Sequence, residues 1–190
     1  MTVEDQLLQE IDATIVVTDV RGFTALAHQL GPVELGLTLS GFYAHTGGIC
    51  EKHGGRIVKF IGDSVLAAFL GMQDHRGRAL AAIGEMAERR DQWMADNVKV
   101  KLPPLEYAAS AASGEVLVGE LGTERIRFWD VLGAPVNLAF RLGTLATDRR
   151  VANLVYADTI ERAAARPEAW VEVEGAELGG RRHRLYRIGR

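Results

Sequence analysis

Residues 13–17 form a short, mostly apolar and β-branched run that stops at Thr18-Asp19. Such a run reads as a buried strand that delivers a carboxylate at its C-terminal end. Residues 56–60 and 64–70 are two further strand-like runs joined by Ile61-Gly62-Asp63, so a hairpin with Asp63 at its tip is expected. Between them Leu35, Leu39, Phe42 and Ile49 recur at spacings near 3.6, which predicts a helix over 33–52. Gly36, Gly41, Gly47 and Gly48 lie inside it, each costing up to about 1 kcal/mol against Ala, and His53-Gly54-Gly55 ends it.

Ala79, Ile83, Met86 and Trp93 mark a second amphipathic helix over 75–96, closed by the loop that holds Pro103-Pro104. Strands are expected at 105–112 and 115–120 with Ser113-Gly114 as the turn between them, followed by an extended piece over 125–132. Pro135 suits the first turn of a helix reaching 145, because its missing N–H has no helical acceptor there. A strand at 153–156, a short helix at 158–164 and strands at 170–173 and 183–188 complete the chain. The order is β, α, β-hairpin, α, β-hairpin, α, β, α, β, β, which predicts one α+β (α/β sandwich) fold.

The 190 residues exceed the usual domain size of about 100–150, but no internal repeat, low-complexity tract or long linker divides them, so residues 1–190 read as a single domain. A hydrophobic content of 47% with 25% charged residues excludes a disordered chain. With 22 basic against 25 acidic residues, the footprint of a general nucleic-acid binder is missing. The lone Cys50 excludes an internal disulfide framework and paired CxxC zinc motifs, and fits a reducing compartment. Apolar stretches such as 65–70 fall far short of the ~20 residues a spanning helix needs, and residues 1–10 are acidic, unlike an export signal. A soluble cytoplasmic chain without membrane or nucleic-acid partners is expected.

Asp19 and Asp63 each sit where a strand ends in a turn, and one sheet can bring such ends together. Two converging carboxylates repel each other unless a cation lies between them, and Mg²⁺ or Mn²⁺ is the natural occupant. Spacing alone leaves ordinary alternatives open: Asp19 capping a helical turn near Gly22, and Asp63 as a turn-former. Gly22, with Val20, Arg21, Phe23 and Thr24 around it, makes a tight strand-to-helix passage whose N–H groups can face a phosphate, although plain turn chemistry explains a single glycine equally. Asn137 and Arg141 leave one helix face and suit a ribose or phosphate, the alternative being a solvated face with a surface ion pair.

These pieces occur together in one order. Residues 15–26 read IVVTDVRGFTAL, 54–69 GGRIVKFIGDSVLAAF, 113–122 SGEVLVGELG and 129–142 WDVLGAPVNLAFRL. Over about Thr14 to Thr159 the chain resembles the catalytic domain of the class III adenylate and guanylate cyclases, and four ordered blocks make the match specific. The resemblance implies a ferredoxin-like βαββαβ core with added C-terminal strands and helices. It places two metal-binding aspartates on Asp19 and Asp63, with the Val20 carbonyl as a further ligand. It also places a base-recognising pair on Lys59 and Asp130, the ribose-positioning asparagine on Asn137 and the transition-state arginine on Arg141.

The implied reaction is attack of a ribose 3′-oxygen on the α-phosphorus with pyrophosphate leaving, assisted by two Mg²⁺ or Mn²⁺ ions. The implied assembly is a homodimer with two composite sites, each drawing its aspartates from one subunit and its lysine, base-reading aspartate, asparagine and arginine from the other. Adenine offers an acceptor at N1 and a donor at its 6-amino group, which complement a Lys donor and an Asp acceptor; guanine reverses both. The mismatch is worth several kcal/mol, so ATP is the expected substrate and cyclic AMP the product.

Guanylate cyclase activity and a catalytically weak regulatory or nucleotide-binding module are the alternatives. The module is kept open by the glycine-rich helix over 33–52 and by Ala134-Pro135, where the family usually carries a polar pair; Ser110-Ala111-Ala112 also departs from the pattern. Among Arg181, Arg182, Arg184, Arg187 and Arg190, the resemblance points to Arg181 or Arg182 for the departing pyrophosphate, against solvated strand ends. Trp93, Trp129 and Trp170 read as core or interface aromatics, and His45 and His53 lack a paired metal-ligand spacing. Control is expected from a regulatory protein, a small ligand, or nothing.

Overall fold

The computed structural model describes residues 8–71, 73–164 and 169–188, so Arg190 lies outside the described residues. The chain runs β1 (Gln9–Val20), α1 (Phe23–Gln29), α2 (Pro32–Lys52), β2 (Arg56–Ile61), β3 (Ser64–Leu70) and α3 (His75–Lys99). It continues β4 (Tyr107–Gly122), β5 (Arg127–Leu132), α4 (Ala134–Asp148), β6 (Asn153–Tyr156), α5 (Ala157–Glu161), β7 (Trp170–Leu178) and β8 (Arg181–Ile188). The strands form one sheet in the order β2-β3-β1-β4-β6-β8-β7, with β5 pairing on β4 off that path.

β1 is an interior strand of the sheet, antiparallel to β3 on one side and to β4 on the other. Its side chains alternate between two cores. Val16 and Val20 pack with Phe42, Ile83 and Met86 of α2 and α3, while Ala13, Ile15 and Val17 pack with Ala139, Leu142 and Ala146 of α4. Burial on both faces is why this strand reads as a continuous apolar run. α2 runs unbroken through its glycines. At Gly47 an added Cβ would meet the Ile57 side chain at 3.5 Å, an ordinary van der Waals contact, so α2 packs directly against β2 there.

The structure corrects the expected turn at Ser113-Gly114. Residues 105–112 and 115–120 do not form a hairpin; most of both lie in β4, which stays paired to β1 from Tyr107 to Val118. The second hairpin is β4–β5 instead. Ser113 is buried, and its hydroxyl bonds Thr14 (2.7 Å) and Thr159 (2.9 Å), which a turn at the surface would not require. Gly114 sits at φ 152 with Pro135 Cγ 3.1 Å from where a Cβ would be, so this glycine admits the start of α4. A strand glycine here marks a close approach rather than a turn. α1 is a separate short helix that periodicity did not separate from the turn before it, and no helix among the described residues is long and apolar enough to cross a membrane.

Candidate active site

The register of β1 on β3 sets Asp19 opposite Ser64, and cross-strand partners share a face. The Ser64 hydroxyl donates to Asp19 Oδ1. The ladder then continues into the hairpin turn, where the Val20 N–H donates to the Asp63 carbonyl at 3.2 Å, bringing Asp63 alongside Asp19. Burial raises the Asp19 pKa above the ordinary carboxylate value, partly countered by the Ser64 bond; burial and the Asp19 charge raise that of Asp63. Two hard oxygen donors whose charges oppose one another are the donor set a divalent cation satisfies. Among the described residues, no group of three His, Cys, Asp or Glu side chains converges for a metal, so the candidate site consists of this pair and backbone oxygen.

Gly22 takes up a left-handed φ of 66 at the N-cap of α1, and no side chain caps that helix. Asp19 is therefore not its cap. Phe23 packs partly into the α2/α3 core, whereas Gly22 and Thr24 are exposed at the first turn.

Lys59 owes its direction to a bulge. Ile57 pairs with Ala67, but Lys59 rather than Val58 pairs with Leu66. Without the extra residue Lys59 would pair with Val65 and face the α2/α3 core; with it, Lys59 shares the α4 face with Leu66. There Lys59 Nζ lies 2.5 Å from Asp130 Oδ2 on β5, while Asp130 Oδ1 accepts the Val131 N–H at 2.7 Å. The lysine is 42% exposed and the aspartate 19%, so the pair is open to a ligand at the lysine end. Beside it the Arg56 guanidinium lies 3.6 Å over the Trp129 ring, bracing β2 against β5.

α4 buries Ala139, Leu142 and Ala146 and leaves Asn137 and Arg141 exposed, as their spacing requires. Pro135 is buried in its first turn, and Ser110 lies beneath the helix, donating to the Ala139 carbonyl at 2.8 Å. Arg141 Nη1 is 3.5 Å from where a Cβ on Gly179 would sit, which places the β7–β8 turn, and Arg181 just after it, beside α4. Arg184 is taken up by Glu161 (2.7 Å) and Glu172 (2.9 Å). No hydrogen bond or ion pair among the described residues joins Asp19 or Asp63 to Lys59, Asp130, Asn137 or Arg141.

Ser64 and Tyr43 were not legible as site residues. Tyr43 donates to the Gly62 carbonyl behind the Asp63 turn and stacks on Phe60 at 4.3 Å. Only register could have found Ser64, since nothing in its neighbourhood names Asp19 as its partner. His45 and Trp93 stack at 4.6 Å within the α2/α3 side, and Trp170 is buried, consistent with packing roles.

The fold is shared with solved nucleotide cyclases. The structure of the guanylyl cyclase Cya2 superposes at TM-score 0.81 with 26% identity, covering 95% of this chain and 92% of that one. The adenylyl cyclase CyaB from P. aeruginosa gives 0.70 and 26% identity with 95% of each chain covered. The sequence profile of the adenylate and guanylate cyclase catalytic domain matches residues 6–181, and the chain belongs to that family. An adenylate cyclase of Anabaena cylindrica is 29% identical over 160 residues, 83% of this chain and 32% of its own length. An uncharacterised Mycobacterium tuberculosis protein is 30% identical over 173 residues, 88% of this chain and 31% of its own. The chain thus spans about a third of the curated relatives it matches.

Proposed function

We propose that this cyclase domain is an adenylate cyclase, converting ATP to 3′,5′-cyclic AMP and pyrophosphate in composite sites of a homodimer. The observation that carries the reading is the Lys59–Asp130 pair: a donor and an acceptor, adjacent and half open, matching adenine and mismatching guanine. In this reading Lys59 donates to the ring nitrogen and Asp130 accepts from the 6-amino group. Asn137 positions the ribose, Arg141 donates to the α-phosphate as negative charge grows there, and the exposed N–H groups at Gly22, Phe23 and Thr24 face the phosphates. Asp19, Asp63 and the Val20 carbonyl would hold Mg²⁺ or Mn²⁺, and the raised carboxylate pKa values fit that role. A bound pair of such ions supplies the charge that favours deprotonation of the 3′-hydroxyl and clamps the triphosphate.

Guanylate cyclase activity is the second reading, favoured by the resemblance to the guanylyl cyclase Cya2 and opposed by Lys59 and Asp130. Incubation of the purified chain with Mn²⁺ and either ATP or GTP, followed by chromatography for the cyclic product, separates the two. Cyclic AMP is the expected product; exclusive cyclic GMP would overturn the assignment, and no cyclic product from either would favour the regulatory module.

A further inference from the structure

Beyond the β1–α1 turn, on the α3 side of the sheet, four arginines line one cleft of about 460 Å³: Arg21, Arg90, Arg150 and Arg187. Among its described lining residues, Glu106 and Asp91 are the acidic ones. Glu106 is already shared, 3.4 Å from Arg21 and 3.9 Å from Arg90, and both arginine side chains are only 14% exposed. Arg21 directs Nη2 to the Ala146 and Val151 carbonyls, which anchors it to the α4–β6 connection. The Arg90 guanidinium rests 5.4 Å over the Tyr107 ring. Arg150 is held at a left-handed φ of 53 while its N–H bonds the Thr147 carbonyl, and its charge is felt at Arg21.

Arg21, Arg90 and Arg150 alone outnumber the two carboxylates in the wall of this partly dehydrated cleft, an excess of like charge that an anion such as phosphate would reduce. Guanidinium forks match the oxygen geometry of a phosphate group better than that of a halide. The cleft is separate from the candidate nucleotide site, because none of Asp19, Asp63, Lys59, Asp130, Asn137 and Arg141 is among its described lining residues. We propose that this cleft binds a phosphate dianion, free or carried by a small phosphomonoester, through Arg90 and Arg150 with Arg21 behind them.

Calorimetric titration of the full chain with inorganic phosphate, in chelator and at fixed ionic strength, tests this. Saturable binding at one site per chain is expected, weakened at least tenfold by Arg90→Ala combined with Arg150→Ala. Asp63→Ala and Arg141→Ala should leave the phosphate affinity within twofold of the parent. Arg150→Gln, at an exposed position, keeps the test available if the double variant does not fold, and should weaken binding at least threefold. Glycerol phosphate binding more tightly than phosphate supports a phosphomonoester, and equal affinity supports the free ion. Absent saturation, an unchanged affinity in the Arg90 and Arg150 variants, or loss of binding in Arg141→Ala would overturn the proposal.

Discussion

Lys59 Nζ lies 2.5 Å from Asp130 Oδ2, so the donor and the acceptor proposed to read the base satisfy each other within one chain. An adenine that enters between them exchanges one ion pair for two hydrogen bonds of matching polarity. Guanine would leave both side chains facing groups of their own kind, and buried unpaired polar groups are strongly disfavoured. The wild-type chain should therefore form cyclic AMP at least tenfold faster than cyclic GMP, measured by product chromatography at equal nucleotide concentrations. Equal rates would remove the hydrogen-bond argument. Lys59→Glu with Asp130→Cys should weaken ATP use without creating full GTP activity.

Asp19 and Asp63 are expected to be needed for turnover and not for folding. Because both folded-state pKa values are raised, the native state holds these protons more tightly than the unfolded chain. Their effect on apo stability is thus unfavourable once the pH exceeds the carboxylate range, and is relieved as the pH falls into it. Asp63→Ala should lower activity on the order of a hundredfold or more, while its melting temperature in chelator is no lower than the parent's at neutral pH. Substantial residual activity would show that the carboxylate is not a metal ligand.

If the site is shared across a two-fold axis, Asp63→Ala and Arg141→Ala damage opposite halves of it. Each mutant homodimer then has both sites broken, whereas a mixed dimer gathers both defects in one site and leaves the other intact. Random mixing makes about half the dimers mixed, so activity should return to about a quarter of wild type. Two folded variants that exchange subunits and stay inactive would place the whole constellation within one chain.

His45 supplies an acid sensitivity of folding. Burial, and secondarily the Arg89 charge, lower its pKa to about 4, against the 6.5 of a free imidazole. The unfolded chain therefore binds a proton that the native chain refuses. Stability from this group is complete above pH 6.5 and declines as the pH falls toward 4. His45→Phe retains a ring to stack on Trp93, and the Tyr107 hydroxyl keeps its 3.2 Å bond to the Met86 carbonyl. The variant's melting temperature should vary less between pH 6.5 and 4 than the parent's; an identical slope would show that His45 is protonated in the native chain.

The local signals of the fold were strong in the sequence. The apolar run ending at Asp19, the hairpin turn at Asp63 and the Pro135 helix start all lie where their patterns place them, because each is set by near neighbours: side-chain period, turn glycine and missing N–H. Ser113-Gly114 misled for the same reason. Its residues suit a turn, yet β1 offers an uninterrupted partner strand and Pro135 needs the space above Gly114, and both facts are distant in sequence.

The candidate site divides along the same line. Residue types and spacing marked Asp19, Asp63, Asn137 and Arg141, and the resemblance to the cyclase family added Lys59 and Asp130. Tertiary structure alone decided that a bulge at Val58 turns Lys59 away from the α2/α3 core and onto Asp130, and that register sets Ser64 against Asp19. A strand repeats every two residues, so one inserted residue reverses which face a side chain joins, and pairing with a distant strand determines where that insertion falls.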